Sequence, residues 1–242
     1  MKYYRFQSSI WATLLMFIMF FLSGFLGAGP AQSRPGTTQV VRPARISART
    51  LQGRTVVIDP GHGGSDPGTI GVGRTTEADN VLAVAWELKA LLEGAGAKVI
   101  MTRQSSHSPA DGTAYAGQEN GQLASRTALA NRSSAHIFVS LHNDWSDNAG
   151  VSGSTTYYYK SQDWALAEAV QRGLVSQLGT VDRGVRHGDY YVLRNSSMPA
   201  ALVEIGFLSN AREADLLSQR WYRLEAARGI FYGIVEYFQL MN

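Results

Sequence analysis

Thr55-Val56-Val57-Ile58-Asp59-Pro60-Gly61-His62-Gly63-Gly64 is the stretch on which the reading of the chain turns. Four β-branched residues make a short strand-like run, which breaks at a Pro-Gly turn and delivers a histidine flanked by glycines. Downstream, Val81, Val84, Ala85, Leu88, Leu91 and Leu92 recur at helical spacing. Thr76 with Asp79 resembles a capping box at the start of that helix, and Gly94 and Gly96 stop it. Further strands are expected at 97–101, 137–141, 155–159 and 200–205, with a strand-like run at 190–194 and a loop at 183–188. Short or amphipathic helices are expected at 123–131 and 164–178, the latter closed by Gly179. Another follows Asn210 and Glu213, and a last one is marked by Leu224, Phe231, Ile234, Val235 and Phe238. Strand–helix alternation of this kind predicts an α/β fold: a single domain with a mainly parallel twisted sheet and helices on both faces.

Outward from this body, residues 1–31 read as a targeting segment. Lys2 and Arg5 precede an almost unbroken apolar run from Ile10 to Phe25, and small residues follow at Gly27, Ala28 and Gly29. The apolar run falls between a long signal core and a short membrane span, so a cleaved signal peptide and a retained N-terminal anchor both stand. Either one implies export to the periplasm or the wall side of the membrane. Residues 32–52, rich in Ser, Arg, Pro and Thr without hydrophobic periodicity, read as a linker, which leaves 53–242 as the folded domain. A formal net charge of +3 with scattered basic residues suits a wall or membrane surface and gives no support to a nucleic-acid partner. The chain has no cysteine, so disulfides and thiolate metal sites are excluded, and a transition metal must be held by His, Asp or Glu.

Such residues occur at telling places. His62 follows the first strand, Glu77 opens the first helix, His142 follows the run at 137–141, and Glu204 interrupts the apolar stretch at 200–205. Carboxyl ends of parallel strands share one sheet edge, where ligands bind, so residues distant in sequence can converge there. His62, Glu77 and His142 would give zinc a two-histidine, one-carboxylate set with a position left for water. Glu204, an ionisable group among apolar neighbours, fits the general base and acid, with burial raising its pKa. Taken singly, each has a simpler reading, such as a hydrogen-bonded loop histidine or a helix-start charge favoured by the macrodipole. His136 stands about 20 Å from His142 along an extended strand and cannot share its metal. His107 and His187 read as loop residues, and Asp59 is expected to orient the turn or a ligand histidine.

Val56 to Gly64, Ser140-Leu141-His142-Asn143 and Pro199 to Asn210, in this order with Glu77 between, resemble the catalytic domain of zinc-dependent N-acetylmuramoyl-L-alanine amidases of the amidase-3 type. The likeness covers roughly residues 54–240. It implies one Zn2+ on His62, Glu77 and His142, a catalytic Glu204, and hydrolysis of the amide between N-acetylmuramic acid and L-alanine in peptidoglycan. It also offers Arg194 as a ligand for a stem-peptide carboxylate and places Asn143 at the cleft wall, where relatives often carry Ala. The interval from His142 to Glu204 is too short for the blocking helix of some division amidases, so no activator is expected. Two other readings stand beside this one: a zinc peptidase cutting within the stem peptide, and an inactive wall-binding domain.

Overall fold

The computed structural model describes residues 46–47 and 49–241. The leader at 1–31 and the larger part of the linker lie outside these described residues. The β-branched run forms β1 (Thr55–Pro60), and the helical pattern after it forms α1 (Glu77–Gly94). The chain continues through β2 (Lys98–Met101), α2 (Gly121–Arg132), β3 (Ile137–Asp144), β4 (Ser154–Tyr158), α3 (Trp164–Leu178) and β5 (Asp182–His187). It ends with α4 (Tyr191–Asn195), β6 (Ala200–Phe207), α5 (Ala211–Ser218) and α6 (Arg220–Leu240).

Local chemistry explains the helix ends. Thr76 Oγ1 accepts from the Asp79 N–H at 3.2 Å and donates to the Asp79 carboxylate at 2.7 Å, fixing the start of α1. Asn210 Oδ1 accepts from the Arg212 and Glu213 N–H groups at 3.1 and 3.2 Å, so the expected cap of α5 is present. Gly179 takes the left-handed conformation, φ 62°, that terminates α3.

The six strands are ordered β2-β1-β3-β6-β4-β5. Strands β2, β1, β3 and β6 are mutually parallel; β4 runs antiparallel to β6, and β5 runs parallel to β4. The sheet is therefore mainly parallel, with a reversed outer pair. Alternate residues face opposite layers. Val56, Ile58, Val139, Leu141, Val203 and Ile205 meet α1, α3, α5 and α6 in the larger core, while Val57, Phe138, Ala200 and Leu202 meet α2 and α4 in the smaller one. Helices cover both faces, as the alternation predicted.

Three expectations need correction. Residues 190–194 are not a strand: Tyr191–Asn195 is one short helix that turns Val192 and Leu193 into the smaller core. The expected loop at 183–188 is mostly the edge strand β5, paired with β4 from Ser154↔Asp182 to Tyr158↔His187. And His142 lies within its strand rather than after it, because β3 runs on to Asp144. The folded body also reaches back beyond Gly53: Leu51 is wholly buried in the larger core, and its N–H donates to Ala95 O at 2.8 Å.

Candidate metal centre

Four segments bring the predicted residues together. The turn after β1 presents His62, the first turn of α1 presents Glu77, and His142 and Glu204 are direct neighbours across the parallel β3–β6 pair. Both belong to the sheet face covered by α2 and α4, since they alternate in step with Phe138 and Leu202.

Glu77 Oε1 lies 2.9 Å from His62 Nε2 and 2.8 Å from His142 Nδ1. The two imidazole rings meet edge to face, with centroids 5.0 Å apart. One ligand atom from each of the three residues falls within 4.8 Å of the others, a spacing a single cation can span. The carboxylate is fixed from both sides by backbone: the Asn143 N–H donates to Oε1 at 3.0 Å and the Thr69 N–H to Oε2 at 3.0 Å. Burial opposes ionisation of Glu77, but hydrogen bonds and charge from His142 and His62 outweigh it and hold the carboxyl well below the usual range. Two imidazoles and one anchored carboxylate, in a chain without cysteine, fit zinc by donor type.

His62 owes its position to two features. Its backbone is left-handed, φ 60°, in a turn closed by paired Gly63–Asp66 backbone hydrogen bonds at 2.9 and 3.3 Å. Its Nδ1 donates to Asp66 Oδ2 at 2.9 Å, which orients the ring and leaves Nε2 to face Glu77. Burial works against the charged imidazole, while Glu77 and Asp66 outweigh it and raise the His62 pKa. Close packing demands glycine at 61, since a Cβ there would stand 2.3 Å from His142 Cε1.

Glu204 is buried and its Oε2 has no hydrogen-bond partner among the described residues. Burial first, then the negative charges of Glu77 and Asp144, push its pKa well up. A cavity of about 160 Å³ at the two histidines is lined by His62, His142, Asp66, Arg126, Tyr190 and Leu202, among others.

The remaining expected residues behave differently. Asn143 is only 3% exposed, with neither side-chain polar atom paired among the described residues. Its backbone N–H donates to Glu77. Arg194 ends α4, where it pairs with Asp189 and lies over the Tyr191 ring, 5.9 Å to the centroid; it is not part of the ligand cluster. Asp59 hydrogen-bonds to no histidine among the described residues; it takes hydrogen bonds from Thr102, Arg126 and Ser140. His136 Nδ1 accepts from the Thr55 N–H, His107 meets Ser105, and His187 packs on Tyr158 and Tyr159.

Sequence reading missed Asp66, Arg103 and Arg126. Arg126 had a signal, since it falls on the same helical stripe as Leu123 and Ala130, where an unpaired charge would be costly.

Residues 56–236 match the family model for N-acetylmuramoyl-L-alanine amidase. The germination-specific N-acetylmuramoyl-L-alanine amidase of Bacillus subtilis is 37% identical over 194 residues, covering 78% of this chain and 81% of that protein. Among solved structures, the amidase AmiC2 of Nostoc punctiforme is 36% identical with a TM-score of 0.69, covering 77% of this chain and 97% of its own. The CwlD amidase of Clostridioides difficile, solved in complex with the GerS lipoprotein, is 31% identical with a TM-score of 0.72 and covers 77% and 99%. With the fold, the ordered motifs and a match over most of its length, the chain belongs to the amidase-3 family of N-acetylmuramoyl-L-alanine amidases.

Proposed function

We propose that this protein is a zinc-dependent hydrolase that cuts the amide between the lactyl group of N-acetylmuramic acid and the L-alanine of the stem peptide in peptidoglycan. The observation that carries the reading is the convergence of His62, Glu77 and His142, with Glu204 in register beside His142 on the same sheet face. Zinc held by these three residues would polarise the scissile carbonyl and acidify water. Asp66 orients His62, and the Asn143 and Thr69 N–H groups keep Glu77 aimed at both imidazoles. Glu204 takes a proton from water as the water oxygen bonds to the lactyl carbonyl carbon. As the C–N bond breaks, Glu204 returns that proton to the alanine nitrogen, leaving a lactyl carboxylic acid and a free amine. Its place among apolar neighbours suits this exchange, because burial and nearby negative charge raise its pKa and favour its holding a proton.

The family supports an exported enzyme, with residues 1–31 as signal peptide or anchor, 32–52 as a linker that packs onto the body at its end, and the rest as catalytic domain. We propose that it acts without an activator: between β3 and β6 the longest helix is α3, whose apolar side packs into the larger core on the sheet face opposite Glu204. The CwlD complex with a lipoprotein makes this a point to test directly.

Mass spectrometry of peptidoglycan digested by the zinc-loaded protein tests the reaction. Intact stem peptides released from unmodified glycan are expected without any added partner. Shortened peptides still attached to muramic acid would assign a peptidase instead, and binding without turnover a wall-binding domain. Glu204→Gln should keep zinc and lose turnover; full activity in that variant would remove Glu204 from the mechanism.

A further inference from the structure

The carbonyl groups of the histidine turn are held by two buried arginines that come from outside the motif. Arg126, on α2, donates from Nη1 to Asp59 Oδ1 and to Pro60 O, each at 2.7 Å, and from Nη2 to His62 O and to Gln122 Oε1. Arg103, just beyond β2, donates from Nε to Pro60 O at 3.0 Å and from Nη2 to Gly61 O at 2.7 Å and Ala78 O at 2.8 Å. Its Nη1 donates to Ser105 O at 2.8 Å. Three successive carbonyls, 60, 61 and 62, therefore each receive a guanidinium N–H, and Arg103 ties the same turn to the first turn of α1, one residue past Glu77. Both side chains are at least nine-tenths buried, Arg126 2% and Arg103 5% exposed.

Such a construction is expensive in core terms. A buried ion pair seldom stabilises more than apolar packing of the same volume, and the hydrogen bonds of Arg103 all go to backbone carbonyls. What these groups supply is direction. A left-handed conformation in a non-glycine residue is strained and persists only where its surroundings over-determine it. His62 has that conformation, and its carbonyl is taken by Arg126.

We propose that Arg126 and Arg103 are positioning residues for metal binding: by capturing the carbonyls of residues 60–62 they hold His62 where its Nε2 meets Glu77 and His142. Asp59 is the counter-ion that fixes Arg126, with Thr102 and Ser140 as two further donors to it. The inference rests on the three-residue metal site proposed above.

The test is zinc affinity of the purified full-length chain, measured by competition with a chromophoric chelator. Arg126→Lys keeps the charge opposite Asp59 but cannot span both Asp59 and His62 O; Arg103→Lys leaves the Asp59–Arg126 pair intact. Each should weaken zinc binding roughly 10- to 100-fold, the range for groups that orient a ligand from behind. Leu174→Ala, in the larger core between α3 and α6, is the stability control. It should lower the thermal midpoint and leave zinc affinity unchanged. Where a variant folds only with zinc, the midpoint zinc concentration for folding replaces the dissociation constant. Wild-type affinity in either lysine variant overturns the proposal, as does an equal loss in Leu174→Ala. Failure of both lysine variants to fold in saturating zinc also overturns it, by making the pair a requirement of the fold. No zinc binding by the unaltered protein would instead sink the metal-site reading itself.

Discussion

Asp59 shows how one buried charge links the motif to the rest of the chain. One oxygen accepts from Thr102 at 2.6 Å and Arg126 at 2.7 Å, the other from Ser140 at 2.7 Å. Burial alone would raise its pKa, but the Arg126 charge and the three donors together hold it below the usual carboxylate range. A folded pKa below the unfolded one means that the stabilisation is complete above the ordinary value of about 3.9 and is lost as pH falls from there through the folded value. Urea unfolding of the wild type should thus lose stability below about pH 4 relative to Asp59→Asn, whose own profile lacks that step. At neutral pH the asparagine leaves Arg126 buried without its counter-ion, and the expected cost is about 3–5 kcal/mol. A loss under about 1 kcal/mol, the scale of exposed pairs, would show that Arg126 finds another anion or water. Gly61 is the other residue on which the site depends sterically, because an added Cβ would overlap the His142 ring. Gly61→Ala should fold yet retain little zinc after dialysis, as read by atomic absorption; full zinc occupancy would contradict the close approach of turn and ring.

Between elements, the tightest contact is the crossing of α3 and α6, where glycines let backbones meet. A Cβ on Gly233 would come within 2.4 Å of Ala169 O, and one on Gly173 within 2.4 Å of Gly229 O. Gly233→Ala should therefore cost about 1–3 kcal/mol by forcing the helices apart. Gly94, the last residue of α1, meets nothing within 4 Å, so Gly94→Ala should stabilise by about 0.4–1 kcal/mol. Urea midpoints that move in the same direction for both would refute this account of the crossing. Elements of this kind were legible from sequence wherever a periodic apolar stripe was long, as in α1, α3 and α6, or where a cap was spelled out, as at Thr76 and Asn210. β5 was not legible, because Asp182-Arg183-Gly184-Val185-Arg186-His187 has a single apolar residue and owes its strand to pairing with β4. The run Tyr190–Leu193 has strand-forming side chains, yet it becomes helix because Val192 and Leu193 find their core on that turn. The reversal of β4 has no local signal at all. In the site, residue types and order pointed to His62, Glu77, His142 and Glu204, whereas Arg103 and Arg126 act on backbone carbonyls, which a sequence does not display.

At the scale of the molecule the two layers divide the work. The two histidines line a cavity with residues of α2 and α4, over the smaller core, while α1, which supplies Glu77 from its first turn, joins α3, α5 and α6 in burying most of the apolar side chains on the other face. The larger core is also where the start of the body is decided. Leu51 lies ahead of β1, is fully buried against that core, and bonds through its N–H to Ala95 O at the end of α1; Ile46 packs partly against the same cluster. The segment before Gly53 thus closes the bottom of the α1–β2 connection, at the sheet end remote from His62, Glu77 and His142. Its removal should cost stability and spare the chemistry. Leu51→Ala is expected to lose about 2–5 kcal/mol, the range for truncating a buried leucine. A chain that starts at Gly53 should lose at least as much as that variant, and one that starts at Ile46 should match the full-length protein in its urea midpoint. Zinc affinity below the unfolding transition should be the same in all of them. Equal midpoints for the chains starting at Ile46 and Gly53 would show that the body begins at β1 and that Leu51 only rests on it.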